Sequence, residues 1–286
     1  MTVTADGALA YKKIRLSNGH EVAYIDEGKG DKTLVFIHGL ATYSLSWKKN
    51  IEYLKNYYRC IAIDLPGNGY SDRYDQDYSI NFFAGAVYDF MMQLQLTNIY
   101  LVGHSMGGQI AMTLLINQPE CAKGLILCAP AGFEQFSEFE KSMYHNTIKL
   151  LDNFSTDENS LKKTIRSSFY NYPPQADEMV NDLVAILKNH SVKSYRKMID
   201  GCIAGMLREP VFNELDQIQQ PTLIMYGERD ALIPNKMIHP TTTRQIAEEG
   251  IRKMPHATLE MVPQCGHFLQ WERADVVNRL IKEFVE

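Results

Sequence analysis

The run Tyr100-Leu101-Val102-Gly103-His104-Ser105-Met106-Gly107-Gly108 constrains this chain more than any other stretch. An apolar β-type segment ends in Gly-x-Ser-x-Gly, and a helix-forming stretch, Gln109 to Gln118, follows without a spacer. A strand that passes into a helix over so few residues needs a sharp, strained turn at the serine. Gly103 and Gly107 lack Cβ atoms, so strand and helix can pass close together there. The turn lifts the Ser105 hydroxyl clear of the backbone, and the N-terminus of the helix beneath it favours negative charge.

The surrounding pattern fits such an element. Residues 11–17 and 21–26 read as two strands joined at Asn18-Gly19, a hairpin signal. Thr33–Ile37, Cys60–Ile63 and Gly124–Cys128 are short apolar runs of the kind buried in a parallel sheet. Helical stretches at Leu45–Asn56 and Ile80–Leu94 separate them. Two glycine-bearing loops suggest phosphate or dinucleotide binding and do not sustain it. Gly28 to Thr33 precedes a strand and lacks the phosphate-loop spacing. The Asp64–Asp72 loop lacks the third glycine and opens no helix, so it reads as structural.

After Pro130 the alternation stops. From Ala131 to about Asp216 the chain is helical in pattern, rich in Phe, Tyr and Met, and broken at Pro173-Pro174. It resumes with a strand at Pro221–Gly227, a helix at about Lys236–Glu249, a strand at Thr258–Val262 and a last helix at Trp271–Phe284. The expected fold class is therefore α/β: a mostly parallel central sheet with helices on both faces. Residues 1–130 and 217–286 form its core domain, and residues 131–216 an inserted helical cap.

Composition narrows the functional classes. The 286 residues carry a net charge of −5 and show no basic patch, so nucleic acid is not an expected partner. Five cysteines lack disulfide-framework or zinc spacing, which suits a reducing compartment. Residues 1–10 lack the pattern of a secretory leader, and no apolar run is long enough to span a bilayer. A cytoplasmic protein acting on a small molecule, without membrane, metal or cofactor, is the expectation. Oligomeric state is not encoded legibly.

A serine hydroxyl attacks only when a base takes its proton, and that base must be oriented by a third group. Of eight histidines, only His267 lies in a loop after the last strand, behind Gly266. His256 precedes that strand, at the wrong end of the sheet. His38 reads as a loop residue that fixes local hydrogen bonds. The acid should follow the penultimate strand, where Glu228 and Asp230 flank Arg229. A surface pair with Arg229 would explain Glu228. The tetrahedral oxygen made by serine attack needs backbone donors, for which Met106 N–H and Leu40 N–H are the candidates. Phe133, Phe136, Phe139, Met143 and Tyr144 open the insertion directly after a strand end. They suit an amphipathic core helix or a lipophilic pocket wall, and Phe133, Phe136 and Met143 are the expected substrate contacts.

With His38-Gly39, the Asp64–Asp72 loop, the Ser105 turn, Gly227–Asp230 and Gly266-His267 in place, the chain resembles a cap-bearing serine hydrolase of the α/β-hydrolase fold. The resemblance covers nearly all of it and implies a Ser105–His267–Asp230 triad, with Asp230 at the family's acid position. Gly-His-Ser-Met-Gly-Gly is similar to the turn of esterases and lipases, which implies carboxylic ester hydrolysis. Cys265-Gly266-His267, Gln270-Trp271-Glu272 and Ala274-Asp275 resemble the C-terminus of carbon–carbon bond hydrolases of ring-cleavage products. Those enzymes usually carry Asn where His104 stands, and a glycine-rich stretch where this chain has Leu40–Ser44. Ser105 in place of Asp argues against haloalkane dehalogenases and epoxide hydrolases. A ligand receptor that keeps the triad is the remaining alternative.

Overall fold

The computed structural model describes residues 9–74, 76–144, 158–188 and 192–286. Strands β1 (Tyr11–Arg15) and β2 (Glu21–Glu27) form the antiparallel hairpin, turned at Gly19 with φ of +89°. β3 (Thr33–Ile37), β4 (Arg59–Ile63), β5 (Ile99–His104), β6 (Gly124–Cys128), β7 (Thr222–Gly227) and β8 (Ala257–Val262) follow. They make one eight-stranded sheet in the order β1-β2-β4-β3-β5-β6-β7-β8, parallel throughout except at β2. β3, β6 and β7 are buried at every residue, as parallel strands covered on both faces must be. The edge strand β8 alternates instead between half-buried and exposed positions until Val262.

The topology fixes where a ligand can enter. From β3 the chain moves outward to β4, then returns to the other side of β3 as β5. That reversal is a switch point, and open α/β sheets usually bind ligands past the carboxyl ends of the strands that flank one, here β3 and β5. Helices α1 (Lys48–Leu54), α2 (Ile80–Gln93) and α3 (Met106–Asn117) connect these strands. Ser79 caps α2 by accepting the Phe82 N–H at 3.1 Å.

Between β6 and β7 lie α4 (residues 138–144), α5 (Glu158–Ser167), α6 (Asp177–Lys188) and α7 (Val192–Arg208), with no strand among the described residues. Their apolar faces do not stand alone. Ile165, Phe169, Met179, Val180 and Leu183 form a cluster with Tyr43, Phe268 and Trp271 of the sheet-bearing part. Met198 and Cys202 of α7 join the main core.

Two of the boundaries that differ from expectation change the elements most. The helix expected at 236–249 is α8 (Thr243–Ile251), because Pro240 interrupts the chain and Thr242 starts it anew. Thr242 Oγ1 accepts the Gln245 N–H at 3.2 Å while Gln245 Oε1 accepts the Thr242 N–H at 3.0 Å, a capping box. The last helix is two, α9 (Leu269–Glu272) and α10 (Ala274–Val285), separated by Arg273 at φ −129° and ψ 48°.

Candidate active site

Ser105 stands at the carboxyl end of β5 with φ of 53° and ψ of −120°, a conformation that L-residues rarely adopt. The surroundings hold it there. Its N–H donates to Cys128 O at 3.0 Å, and its carbonyl accepts from Ala131 N–H at 3.0 Å and Gly108 N–H at 2.9 Å. A Cβ on Gly107 would collide with the Ile37 and His38 carbonyls, so only glycine lets α3 start against the end of β3.

The His38–Leu40 loop lies against the serine. A Cβ on Gly39 would fall 3.1 Å from Ser105 Cβ and 2.9 Å from His104 Nδ1. His38 itself is buried among local partners. Its Nδ1 meets Gly39 O at 2.8 Å and its Nε2 accepts the Leu65 N–H at 3.0 Å. Burial pushes its pKa down to about 4, so the ring is neutral and structural. Among the described residues neither Leu40 N–H nor Met106 N–H donates to a protein acceptor. Met106 is the first residue of α3, where helix geometry leaves the N–H without a partner.

Asp230 and His267 meet from loops after β7 and β8. Asp230 Oδ2 accepts from His267 Nδ1 at 2.8 Å, and both side chains are buried. The other oxygen, Oδ1, accepts the Leu232 N–H at 2.8 Å and the Ile233 N–H at 3.0 Å, which fixes the carboxylate plane. Since the carboxylate is an acceptor, Nδ1 carries the proton and Nε2 keeps its lone pair. Among the described residues Ser105 Oγ forms no hydrogen bond to His267. Glu228 is exposed and pairs with Arg244 at 3.1 Å, while Arg229 lies over the Tyr170 ring at 5.9 Å. The expected Glu228–Arg229 pair is thus corrected: Arg244 on α8 reaches Glu228 instead.

His104 and Glu272, which the sequence marks only through resemblance, both bond to the backbone of the histidine loop. His104 Nε2 meets the backbone carbonyl of His267 at 3.0 Å, with the two rings 4.9 Å apart. Burial, then the neighbouring His267, hold its pKa well below the ordinary value, so it serves as a neutral donor. Glu272 on α9 gathers three backbone donors: Gly266 N–H at 3.0 Å, Tyr170 N–H at 3.2 Å and Asn171 N–H at 2.8 Å. His267 N–H also donates to Ser168 O at 3.1 Å. The histidine loop is therefore tied to residues 168–171 of the insertion.

The expected pocket-wall residues separate. Phe133 is fully buried in the core, against Gly250 of α8 and 6.3 Å from the Tyr226 ring, so its packing is that of a core side chain and corrects the wall reading. Phe136 lies against His239 at 5.1 Å and Tyr144 at 5.8 Å. Met143 is exposed, as is Phe139. Glu134 ties this start of the insertion to the loop beyond Asp230, accepting from His239 Nδ1 at 2.6 Å and Asn235 N–H at 2.9 Å. No group of three or more His, Cys, Asp and Glu side chains suited to a metal occurs among the described residues. Nor is any described helix long and apolar enough to cross a membrane.

Residues 32–274 match the family described as alpha/beta hydrolase fold, and the chain belongs to that family. Among curated relatives it is 27% identical to the 2-hydroxy-6-oxononadienedioate/2-hydroxy-6-oxononatrienedioate hydrolase of Burkholderia vietnamiensis, over 92% of this chain and 90% of that one. It is also 27% identical to the dihydrolipoyllysine-residue acetyltransferase component of the acetoin cleaving system of Cupriavidus necator, over 97% of this chain and 70% of that one. Among solved structures, an esterase from Exiguobacterium antarcticum superposes with a TM-score of 0.80 at 23% identity, over 96% of this chain and 98% of that one.

Proposed function

We propose that this hydrolase cleaves a small-molecule carboxylic ester through an acyl-enzyme on Ser105. The observation that carries the reading is the buried Asp230–His267 pair, bonded through the His267 carbonyl to His104, the residue before a strained serine at the carboxyl end of β5. His267 Nε2 takes the Ser105 proton as Oγ attacks the ester carbonyl carbon. Asp230 stabilises the imidazolium that results. The oxyanion lies between Met106 N–H and Leu40 N–H, which are worth more in a site closed to water. Collapse breaks the C–O bond, and the alcohol leaves with the proton from His267. Water then attacks the acyl carbon, gives its proton to His267, and Ser105 is regenerated. Residues 131–216 act as the cap, with Phe136 and Met143 against the acyl chain and Phe133 supporting them from the core. No cofactor is invoked.

A second reading has a specific support. The Burkholderia relative, named a hydrolase of 2-hydroxy-6-oxononadienedioate and 2-hydroxy-6-oxononatrienedioate, aligns over nearly the whole chain, and the Cys265–Asp275 stretch resembles carbon–carbon bond hydrolases of ring-cleavage products. His104 in place of Asn before the serine favours the ester reading. The purified protein should be assayed on aryl esters of graded acyl length, a ring-cleavage dienone acid and an aminoacyl amide. Ester turnover exceeding dienone turnover by tenfold or more in kcat/KM supports the proposal. The reverse order replaces it with the carbon–carbon reading, and no turnover of either, with ligand-dependent partner binding, points to a receptor.

A further inference from the structure

From His38 to Tyr43 the chain lies outside helix and strand, and this stretch carries the Leu40 N–H. Ala41 takes φ of +57°, a left-handed conformation that costs energy in a residue with a Cβ. Such a loop keeps one shape only where its surroundings hold it. Thr42 Oγ1 closes the near side by donating to Gly39 O at 2.9 Å. Ser44 N–H fixes the far side by donating to Asp64 Oδ1 at 2.8 Å. Between them, Tyr43 reaches into the insertion. Its ring is fully buried in one cluster with Ile165, Phe169, Met179 and Leu183, and its hydroxyl donates to Asp182 Oδ2 on α6 at 2.6 Å.

That carboxylate is shared. The Tyr70 hydroxyl, from the loop between β4 and α2, lies 2.9 Å from each Asp182 oxygen. One side chain of α6 thus clasps the loops that leave the carboxyl ends of β3 and β4. Hydroxyl-to-carboxylate bonds of this length are charge-assisted and strong. Burial pushes the Tyr43 pKa up, so its hydroxyl stays a donor. The Met179 carbonyl, 3.4 Å from it, is too far to take the place of Asp182. A second tie docks α6 elsewhere: Lys48 on α1 pairs with Glu178 at 2.6 Å, outside the Leu40 loop.

We propose that Asp182 is a positioning residue for the reaction, holding the Leu40 N–H at the oxyanion through the Tyr43 hydroxyl. The inference rests on the ester reading. Deleting an oxyanion donor costs about 10²–10³ in kcat, and letting one drift should cost part of that, about tenfold. Bonds made only in the transition state weaken, so kcat falls while KM stays.

Aryl-ester kinetics, the rate of fluorophosphonate labelling and Tm should be measured for wild type, Tyr43→Phe, Asp182→Asn, Asp182→Ala, the Tyr43→Phe/Asp182→Ala pair and Glu178→Gln. Tyr43→Phe keeps the ring and its packing, so it decides the matter even if Asp182→Ala does not fold. Tyr43→Phe and Asp182→Ala should each lower kcat and the labelling rate about tenfold, with KM within about twofold of wild type. The pair should lose no more than Asp182→Ala alone, because both changes break one bond. Asp182→Asn keeps an acceptor oxygen and should lose less than Asp182→Ala. Glu178→Gln should react at the wild-type rate even if its Tm falls. A wild type that labels, beside Tyr43→Phe and Asp182→Ala that label equally fast, overturns the proposal and leaves the ester reading standing. A loss in Glu178→Gln as large as in Asp182→Ala, or additive losses in the pair, overturns it too. A wild type that neither labels nor cleaves esters refutes the ester reading and this inference with it.

Discussion

Asp230 and Glu228 sit two residues apart, yet their environments are opposite. Asp230 is buried and accepts three hydrogen bonds, including that of His267, whereas Glu228 is exposed and shares its charge with Arg244. Asp230→Asn keeps the size but permits the wrong tautomer of His267, so kcat should fall at least about 10²-fold. Glu228→Gln should change kcat little, because an exposed pair contributes at most about 1 kcal/mol. Steady-state kinetics on the two folded variants check this. A crippled Glu228→Gln beside a normal Asp230→Asn would reassign the acid. At this scale the sequence was informative where chain order alone decides. Ser105 is marked by its flanking glycines, and His267 by its place after the last strand. Choosing between two acids in one loop depends on which side chain turns inward, and spacing does not carry that. Phe133 shows the same limit, since a phenylalanine after a strand end can face either the core or a pocket.

Among the elements, α9 does work that its four residues do not advertise. Glu272 collects N–H groups from the histidine loop and from residues 170–171 of the insertion. Burial raises its pKa, while the three donors oppose that shift. Glu272→Gln leaves one acceptor oxygen and turns an NH₂ group toward a backbone N–H. Thermal unfolding should report a loss of about 1–3 kcal/mol. We expect kcat to fall more than KM rises, because His267 loses its anchor while substrate contacts stay. Unchanged stability and unchanged kcat would show that the tie is idle. Glu272 stands in the sequence only five residues after His267, and nothing there reveals that it reaches the insertion, a contact with partners about a hundred positions away. His104 is hidden for the same reason. The strand pattern itself was legible, because buried parallel strands read as short apolar runs. The late start of α8 was not, since it depends on the Thr242 capping box, nor was the break at Arg273, which depends on the backbone angles of that one residue.

For the molecule as a whole, Asp64 is the buried charge with the clearest consequence for stability. It anchors the β4–α2 loop to Ser44 and Tyr70, and burial raises its pKa to about 6 from an ordinary 3.8. The folded state thus binds a proton more tightly than the unfolded chain between about pH 4 and pH 6. As pH rises through that window, this group makes stability fall. The difference in unfolding free energy between wild type and Asp64→Asn should therefore shrink or reverse by about 2 kcal/mol from pH 4 to pH 6. Denaturant titrations at the two pH values measure it, and a difference independent of pH would contradict the shift. The same architecture that buries Asp64 brings the ends of β3, β5, β7 and β8 together, and the account of the molecule rests on what happens there. The most direct test is to react the protein with a fluorophosphonate and locate the adduct by peptide mass spectrometry. The account predicts one adduct, on Ser105, lost in Ser105→Ala and slowed in His267→Ala. Labelling that persists in Ser105→Ala, or that falls on another residue, would contradict it.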